Sequence, residues 1–347
     1  MKKRIRVLLT DDSAFARKVL REVLEAEGLE VVGSARDGAE ALEMTSSLAP
    51  DLVISDLQMP RMGGVEFVRA QMALRPLPIL ILSSATQDAP EVLEALNAGA
   101  IDVVRKPTAL ATDELREVRT QLAGRIRETV QAPPANFTAW REPSPVPPPL
   151  APGLDRPTRA DVVVIGVSTG GPQALRRIMP IFPKDFPVPI AIVLHMPVGY
   201  TAYYAEKLNE ACALEVKEAA EGDVLRPGLV LLAQAGRHLV LRRIAGGRLA
   251  AHLTVQPMET LHRPAVDVLF RSAAEACGGR VLGVVMTGMG DDGKEGAAWI
   301  KAQGGTILTE AEESCVIFGM PRAVAEAGLS DAAIPLGQMA LSITSHL

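Results

Sequence analysis

Ser168 lies in a segment that is typical of a sharp turn between a strand and a helix. Residues 166–170 read Gly-Val-Ser-Thr-Gly, after an apolar run and before a helical pattern. This G-x-S-x-G pattern occurs in turns that expose a serine as a nucleophile. The segment lacks the lysine of a P-loop, and it has serine where a dinucleotide-binding loop has its second glycine. Phosphate binding by the helix N-terminus stays open as an alternative.

A nucleophilic serine requires a general base, and the chain has five histidines. His195 closes the apolar run PIAIVLH, which is predicted to lie parallel to the strand before Ser168. The carboxyl ends of parallel strands meet at one edge of a sheet, so both side chains are expected there. His195 is therefore the first candidate for the base, and His262 is the second.

Two adjacent carboxylates complete the pattern. Asp291 and Asp292 follow the apolar run VLGVVMTG, which predicts that both lie at the same sheet edge. A buried aspartate bonded to imidazole Nδ1 would fix the tautomer and stabilise the imidazolium. Spacing alone does not choose between the two aspartates. The chain order Ser, His, Asp differs from the order in α/β-hydrolases, so we expect a serine triad on another α/β fold.

A second set of polar residues follows the apolar runs of the N-terminal part. Asp11 and Asp12 end the first predicted strand, and Asp56 ends the third. Ser83 and Lys106 end the fourth and fifth. Carboxylates forced together at a sheet edge require a cation, and oxygen ligands suit Mg²⁺. The sequence predicts a magnesium site that accepts a phosphoryl group on Asp56.

Short apolar runs alternate with helical patterns in both halves of the chain, which predicts parallel, doubly wound sheets. In the first half the predicted strands are 5–10, 31–35, 51–56, 78–84 and 101–107, followed by a helix at 112–129. In the second half they are 161–167, 189–195, 280–288 and 305–310. The stretch 214–254 has short runs separated by glycine and charged residues, and it is interpreted as hairpins.

A proline-rich segment divides the chain. Residues 131–158 contain nine prolines in 28 positions. Proline lacks an amide hydrogen and fixes φ, so this segment is expected to be an extended spacer. The predicted organisation is a first domain over 1–125, a linker over 126–158 and a second domain over 159–347.

Composition and charge exclude several classes of protein. The 347 residues are sufficient for two domains, and the net charge of −5 argues against a nucleic-acid binder. The three cysteines are widely spaced, as in reduced thiols of a cytoplasmic protein. No stretch approaches the roughly 18 apolar residues of a membrane span, so direct membrane insertion is not expected.

The first domain resembles the receiver domain of response regulators. The matching residues are the Asp11-Asp12 pair, Asp56 in SDLQMPRMGG, Ser83, and Lys106 followed by proline. The resemblance implies a flavodoxin-like fold and a histidine kinase as phosphodonor. It implies the following roles: Asp56 as phospho-acceptor, Asp11, Asp12 and Asp56 as Mg²⁺ ligands, and Ser83 and Lys106 as contacts of the phosphoryl oxygens. Val103 and Gly64 depart from the common pattern, and Val103 lies where many receiver domains have an aromatic switch residue.

The second domain resembles the catalytic domain of the chemotaxis protein-glutamate methylesterases, the CheB family. The matching segments are IGVSTGGP, LHMPVGYTAYYAEKLN, HRPAVDVLF, GVVMTGMGDDG and ESCVIFGMPRAV. The resemblance implies a Rossmann-like domain with Ser168 as nucleophile, His195 as general base and Asp292 as the orienting carboxylate. Backbone amides at Thr169, Gly170 and Met289 are the expected oxyanion donors.

The two resemblances together imply a phosphorylation-activated enzyme. Its substrates would be glutamate methyl esters, and also glutamines, on the cytoplasmic helices of chemoreceptors. The esterase reaction would need no cofactor, and the protein is expected to be a cytoplasmic monomer. Two alternatives stay open, a response regulator with a DNA-binding output and an inactive scaffold that signals by binding. The intact serine, histidine and aspartate argue against the scaffold.

Overall fold

The computed structural model describes residues 4–83, 88–106, 112–131 and 159–347, with side chains from 122 onwards in the third range. The chain forms two compact units, residues 1–143 and 144–347. Most of the predicted linker lies outside the described residues. Its first six residues, 126–131, belong instead to the last helix of the first unit, because the helical pattern continues until the prolines begin.

The first unit is an α/β domain with one parallel sheet. Its strands are β1 (Arg6–Thr10), β2 (Glu30–Ala35), β3 (Leu52–Asp56), β4 (Ile79–Ser83) and β5 (Asp102–Arg105). Its helices are α1 (Ala14–Ala26), α2 (Gly38–Leu48), α3 (Gly64–Leu74), α4 (Ala89–Ala98) and α5 (Thr112–Gln131). The sheet order is β2-β1-β3-β4-β5, which confirms the predicted doubly wound fold. The central strand β3 and its neighbour β4 are buried along their whole length, as the continuous apolar runs predict.

The second unit is built on a sheet of seven parallel strands. Its sheet strands are β6 (Val162–Val167), β7 (Ile190–Leu194), β8 (Glu215–Glu218), β9 (Leu229–Leu232), β12 (Val281–Val285), β13 (Thr306–Glu310) and β14 (Ala332–Ile334). Its helices are α6 (Gly171–Ile178), α7 (Thr201–Ala211), α8 (Val266–Cys277), α9 (Lys294–Ala302), α10 (Met320–Glu326) and α11 (Leu336–Ser345). The order β14-β13-β12-β6-β7-β9-β8 puts the strand before Ser168 at the centre.

The prediction of hairpins throughout 214–254 is half wrong. Strands β10 (His238–Arg243) and β11 (Leu249–Thr254) do form an antiparallel pair. Strands β8 and β9, however, join the main sheet in parallel. The segment between β8 and β9 contains no helix, so the sequence of this region resembles that of a hairpin. The fully buried run Leu-Val-Leu-Leu of β9 is nevertheless typical of a strand inside a parallel sheet.

In both sheets the strand order reverses at one point, and the candidate polar residues lie around that point. In the first unit the chain order reverses between β1 and β3, and in the second between β6 and β12. Ligands of open α/β sheets bind beyond the carboxyl ends of the strands at such a switch point. Among the described helices, none is long and apolar enough to span a membrane.

Candidate active site

The three residues of the predicted triad lie at the same edge of the second sheet. Ser168 follows β6 directly, His195 follows β7, and Asp292 lies in the turn after β12. Strands β7 and β12 flank β6 in parallel register, so their carboxyl ends bring the three residues together. Ser168 and His195 are both buried, at 5% and 8% exposure.

His195 bonds to Asp292 through the ring nitrogen opposite to the predicted one. Its Nε2 lies 2.8 Å from Asp292 Oδ2, whereas Nδ1 is buried and has no hydrogen-bond partner among the described residues. Backbone amides of another segment fix the Asp292 carboxylate, which therefore lies at the Nε2 edge of the ring. The expected contact with Nδ1 is therefore wrong, and Nδ1 is the nitrogen left to accept a proton.

The start of helix α8 fixes the Asp292 carboxylate. Its Oδ2 accepts the Val266 amide at 2.8 Å, and its Oδ1 accepts the Asp267 amide at 2.9 Å. Burial acts to raise the pKa of Asp292, but the His195 hydrogen bond and these amides lower it overall. A carboxylate at a helix N-terminus also interacts favourably with the helix dipole. Asp292 thus stays ionised beside the imidazole.

The structure distinguishes the two adjacent aspartates that spacing left equal. The Asp291 side chain is 68% exposed, and its carboxylate lies 3.5 Å from Lys294 Nζ. Asp292 is almost buried and is bonded to His195. The position of Asp292 agrees with the role that the resemblance implies.

Asp267 is a partly buried carboxylate beside Asp292 that the sequence analysis missed. Its Oδ1 accepts the amides of Gly293 and Gly296 at 2.9 and 2.6 Å, where helix α9 begins. Burial and the nearby charge of Asp292 raise the pKa of Asp267 to about 7. Asp292 therefore accepts amides at the start of α8, the helix that contains Asp267. Asp267 in turn accepts amides at the start of α9, the helix that Asp292 precedes. An acidic residue in the first turn of a predicted helix is the signal that indicates such a role.

His262, the second candidate for the base, packs against the first. The two imidazole rings are stacked with centroids 4.0 Å apart and an angle of 26° between their planes. Asp292 is bonded to His195 in this arrangement. His262 therefore borders the base and restricts its ring orientation.

Ser168, the predicted nucleophile, is held by the turn after β12. The Ser168 amide donates to the Thr287 carbonyl at 3.0 Å, and Thr287 Oγ1 donates to the Thr169 carbonyl at 2.9 Å. Gly288 lies so close that a Cβ there would be 2.8 Å from Ser168 Cβ. Gly170 has a φ of +80°, which glycine adopts without the strain that other residues incur. Thr287 and Gly288 were missed because this turn meets Ser168 only in the folded chain.

The predicted oxyanion donors lie around this turn. Among the described residues, no hydrogen-bond acceptor engages the amides of Gly170 and Met289. The Ser168 amide is already bonded to Thr287, so it is not a donor to a substrate. The assignment of Thr169, Gly170 and Met289 to an oxyanion hole remains a prediction.

The predicted phosphoryl site forms at the switch point of the first sheet. Ligand oxygens of Asp11, Asp12 and Asp56 lie within 4.8 Å of one another. Lys106 Nζ contacts Asp11 Oδ2 at 2.8 Å and Asp56 Oδ2 at 2.6 Å. Three carboxylates at this spacing fit a magnesium ion. Burial raises the pKa of Asp56, and Lys106 opposes that rise.

Ser83 lies at the end of β4, but its hydroxyl points to another acidic residue. Ser83 Oγ donates to Asp88 Oδ2 at 2.8 Å, and both residues are buried. A contact with a phosphoryl group on Asp56 would therefore require this hydroxyl to leave Asp88. Glycine is required at position 64 for a steric reason, because a Cβ there would collide with the Asp56 carbonyl. Val103 is buried on β5.

Family models match both units. Residues 163–343 match the CheB methylesterase model, and residues 7–118 match the response regulator receiver domain. The first match covers more than half of the chain. The chain belongs to the CheB methylesterase family.

Curated relatives support this membership along the whole sequence. A protein-glutamate methylesterase/protein-glutamine glutaminase of Myxococcus xanthus is 49% identical over 99% of this chain and 98% of its own length. A relative with the same name from Halalkalibacterium halodurans is 42% identical, with 99% and 98% coverage. Among solved structures, the Thermotoga maritima CheB methylesterase catalytic domain is 40% identical with a TM-score of 0.53. It covers 54% of this chain and 99% of its own.

Proposed function

We propose that this protein hydrolyses glutamate methyl esters and deamidates glutamines on cytoplasmic chemoreceptor helices. The observation that carries the proposal is the convergence of Ser168, His195 and Asp292 at one sheet edge, with Asp292 bonded to His195. The names of the relatives support the two activities, because they combine methylesterase with glutaminase. The receptor substrate rests on the family resemblance.

The geometry supports a covalent mechanism. Ser168 Oγ attacks the side-chain carbonyl carbon while His195 Nδ1 takes its proton, and Asp292 stabilises the imidazolium at Nε2. The imidazolium then gives the proton to the departing methanol or ammonia, which leaves an acyl-enzyme. Water, deprotonated by His195, attacks the acyl carbon and releases glutamate and free Ser168.

The negative oxygen of the tetrahedral intermediate requires donors at a fixed distance. The amides of Thr169, Gly170 and Met289 are assigned this role, with Gly170 and Met289 available in the described part of the chain. Removal of one such donor typically lowers turnover by about 10²- to 10³-fold. The buried backbone around Thr287 keeps these donors in place before substrate binds.

The first unit is assigned the regulation of this activity. The Asp56 carboxylate would attack the phosphorus of a phosphohistidine on the kinase, and the P–N bond would break. When bound by Asp11, Asp12 and Asp56, Mg²⁺ neutralises negative charge on the phosphoryl oxygens. Lys106 contacts two of these carboxylates and would also contact the phosphoryl group. The cytoplasm is the expected location, since the kinase and the receptor helices are there.

A DNA-binding output receives no support from the second unit. Its described residues form a parallel sheet with Ser168, His195 and Asp292 at the switch point. An inactive scaffold would not require the bond between His195 and Asp292. Enzymatic activity therefore explains the arrangement better than binding alone.

The test is release of methanol from receptor membranes that carry methyl esters. Wild-type protein should release methanol, and Ser168→Ala should lower turnover by about 10⁶-fold because the triad loses its nucleophile. A melting curve should show that Ser168→Ala is folded. Retention of a tenth of the wild-type rate would overturn the serine mechanism, and absence of methanol release by wild type would overturn the proposed activity.

A further inference from the structure

Glu310 is a fully buried carboxylate that the triad mechanism does not use. It ends strand β13, two strands away from β6, and its exposure is 0%. Its Oε2 accepts the Thr287 amide at 2.9 Å, and its Oε1 accepts the Ser314 hydroxyl at 2.9 Å. A carboxylate is rarely buried completely without a structural or functional reason.

Thr287 connects this carboxylate to the nucleophile. Its amide is held by Glu310, and its carbonyl accepts the Ser168 amide at 3.0 Å. Its hydroxyl donates to the Thr169 carbonyl and accepts the Ile317 amide at 3.0 Å. A single residue after β12, Thr287, therefore lies between the Glu310 carboxylate and the backbone of Ser168.

Both protonation states of Glu310 are compatible with these contacts. Burial raises the pKa of Glu310 to about 7, while the Thr287 amide, Ser314 and the charge of Arg177 on α6 act to lower it. The ionised form accepts both hydrogen bonds. In the protonated form, Oε1–H can donate to Ser314 Oγ, because that hydroxyl has the Ala311 carbonyl as another acceptor at 3.2 Å. The contact with Thr287 requires an acceptor at Oε2 but no charge.

We propose that Glu310 is a positioning residue, which holds the Thr287 turn so that Ser168 and the Met289 amide have the geometry for attack. The proposal rests on the proposed function, since it concerns the same nucleophile. Without an acceptor at this position, the Thr287 amide is buried and unpaired, and the turn that holds Ser168 can relax toward water. Misplacement of a nucleophile by about 1 Å is sufficient to lower turnover about 10²-fold.

The test compares three variants of the full chain. Glu310→Ala removes the acceptor, whereas Glu310→Gln keeps an acceptor for Thr287 and gives Ser314 a donor. Thr309→Val is the matched control, because the neighbouring buried hydroxyl bonds to Ser330 at 2.8 Å and not to Thr287. Each variant is measured by methanol release, with kcat and KM separated, and by the rate at which a fluorophosphonate ester labels Ser168.

Glu310→Ala should lower kcat and the labelling rate at least tenfold, with KM within a factor of two of wild type. Glu310→Gln and Thr309→Val should stay within threefold of wild type in both measurements. The proposal is overturned if Glu310→Ala labels and turns over like wild type, or if Glu310→Gln fails as severely as Glu310→Ala while its melting temperature is unchanged. Labelling does not depend on the receptor, so a wild type that labels but releases no methanol contradicts the proposed substrate and leaves the role of Glu310 testable.

Discussion

At the scale of single residues, the site depends on which atoms meet. Asp291 and Asp292 have the same side chain and adjacent places in the chain, but only Asp292 contacts His195. The amides of Val266 and Asp267 hold the Asp292 carboxylate, so the position of this carboxylate does not depend on the exposed Asp291 beside it. Since His195 Nε2 is bonded to Asp292, Nδ1 is consequently the ring nitrogen left to accept a proton.

We predict that Asp292→Asn lowers turnover by roughly 10⁴-fold. An amide cannot stabilise the imidazolium, and it favours the wrong tautomer of His195. Asp291→Asn is the control, and its turnover should remain within about twofold of wild type because that side chain is exposed. The measurement is kcat for methanol release. Equal losses in both variants would contradict the assignment of Asp292.

At the scale of elements, the parallel strands supply the positions and the following turns supply the contacts. Strand β6 lies between β7 and β12, so the residues after these three strands share one edge. The turn after β12 approaches Ser168 closely enough to exclude a side chain at Gly288, where a Cβ would also collide with Met320. The packing of this turn therefore belongs to the catalytic geometry as well as to the core.

We predict that Gly288→Ala lowers kcat at least about 100-fold while the protein remains folded. The added Cβ would lie 2.8 Å from Ser168 Cβ, so the nucleophile must move. Gly337→Ala is the matched control, because nothing lies within 4 Å of its added Cβ. The variants are compared by methanol release and by melting temperature. Wild-type turnover in Gly288→Ala would contradict the close approach.

At the scale of the whole molecule, each unit has its own reactive edge. The first has carboxylates and Lys106 at its switch point, and the second has Ser168, His195 and Asp292, the residues of the proposed triad. Ser83 is predicted to contact the phosphoryl group, but its hydroxyl donates a hydrogen bond to Asp88 in this structure. Phosphorylation of Asp56 would compete for that hydroxyl and change the surface around β4, as phosphoryl groups do in other switches.

We predict that a small-molecule phosphodonor with Mg²⁺ raises esterase activity about 5- to 150-fold, the usual range of coupling between two sites. Asp56→Ala should abolish the rise and keep the basal rate, because the phospho-acceptor is lost. Chelation of Mg²⁺ should have the same effect in wild type. The measurement is methanol release with and without the donor. A rise that persists in Asp56→Ala would contradict regulation through this residue.

The sequence determined the features that depend on local pattern. Continuous apolar runs between helical patterns indicate buried parallel strands, and residues directly after such runs must lie at one edge of the sheet. The positions of Ser168, His195 and Asp56 at the edges of the two sheets were therefore predicted from the sequence. The family motifs added the choice of Asp292. The proline run predicts a linker, most of which lies outside the described residues, and the last helix of the first unit continues to Gln131.

The tertiary structure decided what depends on contacts between distant segments. Strand β9 is fully buried and pairs in parallel with β7 and with the edge strand β8, which the short connection between β8 and β9 does not reveal. The Nε2 contact of His195, the bond from Ser83 to Asp88, and the chain from Glu310 through Thr287 to Ser168 each join residues that no local pattern relates. Such contacts follow from strand register and the path of each turn, and these are fixed only when the core packs.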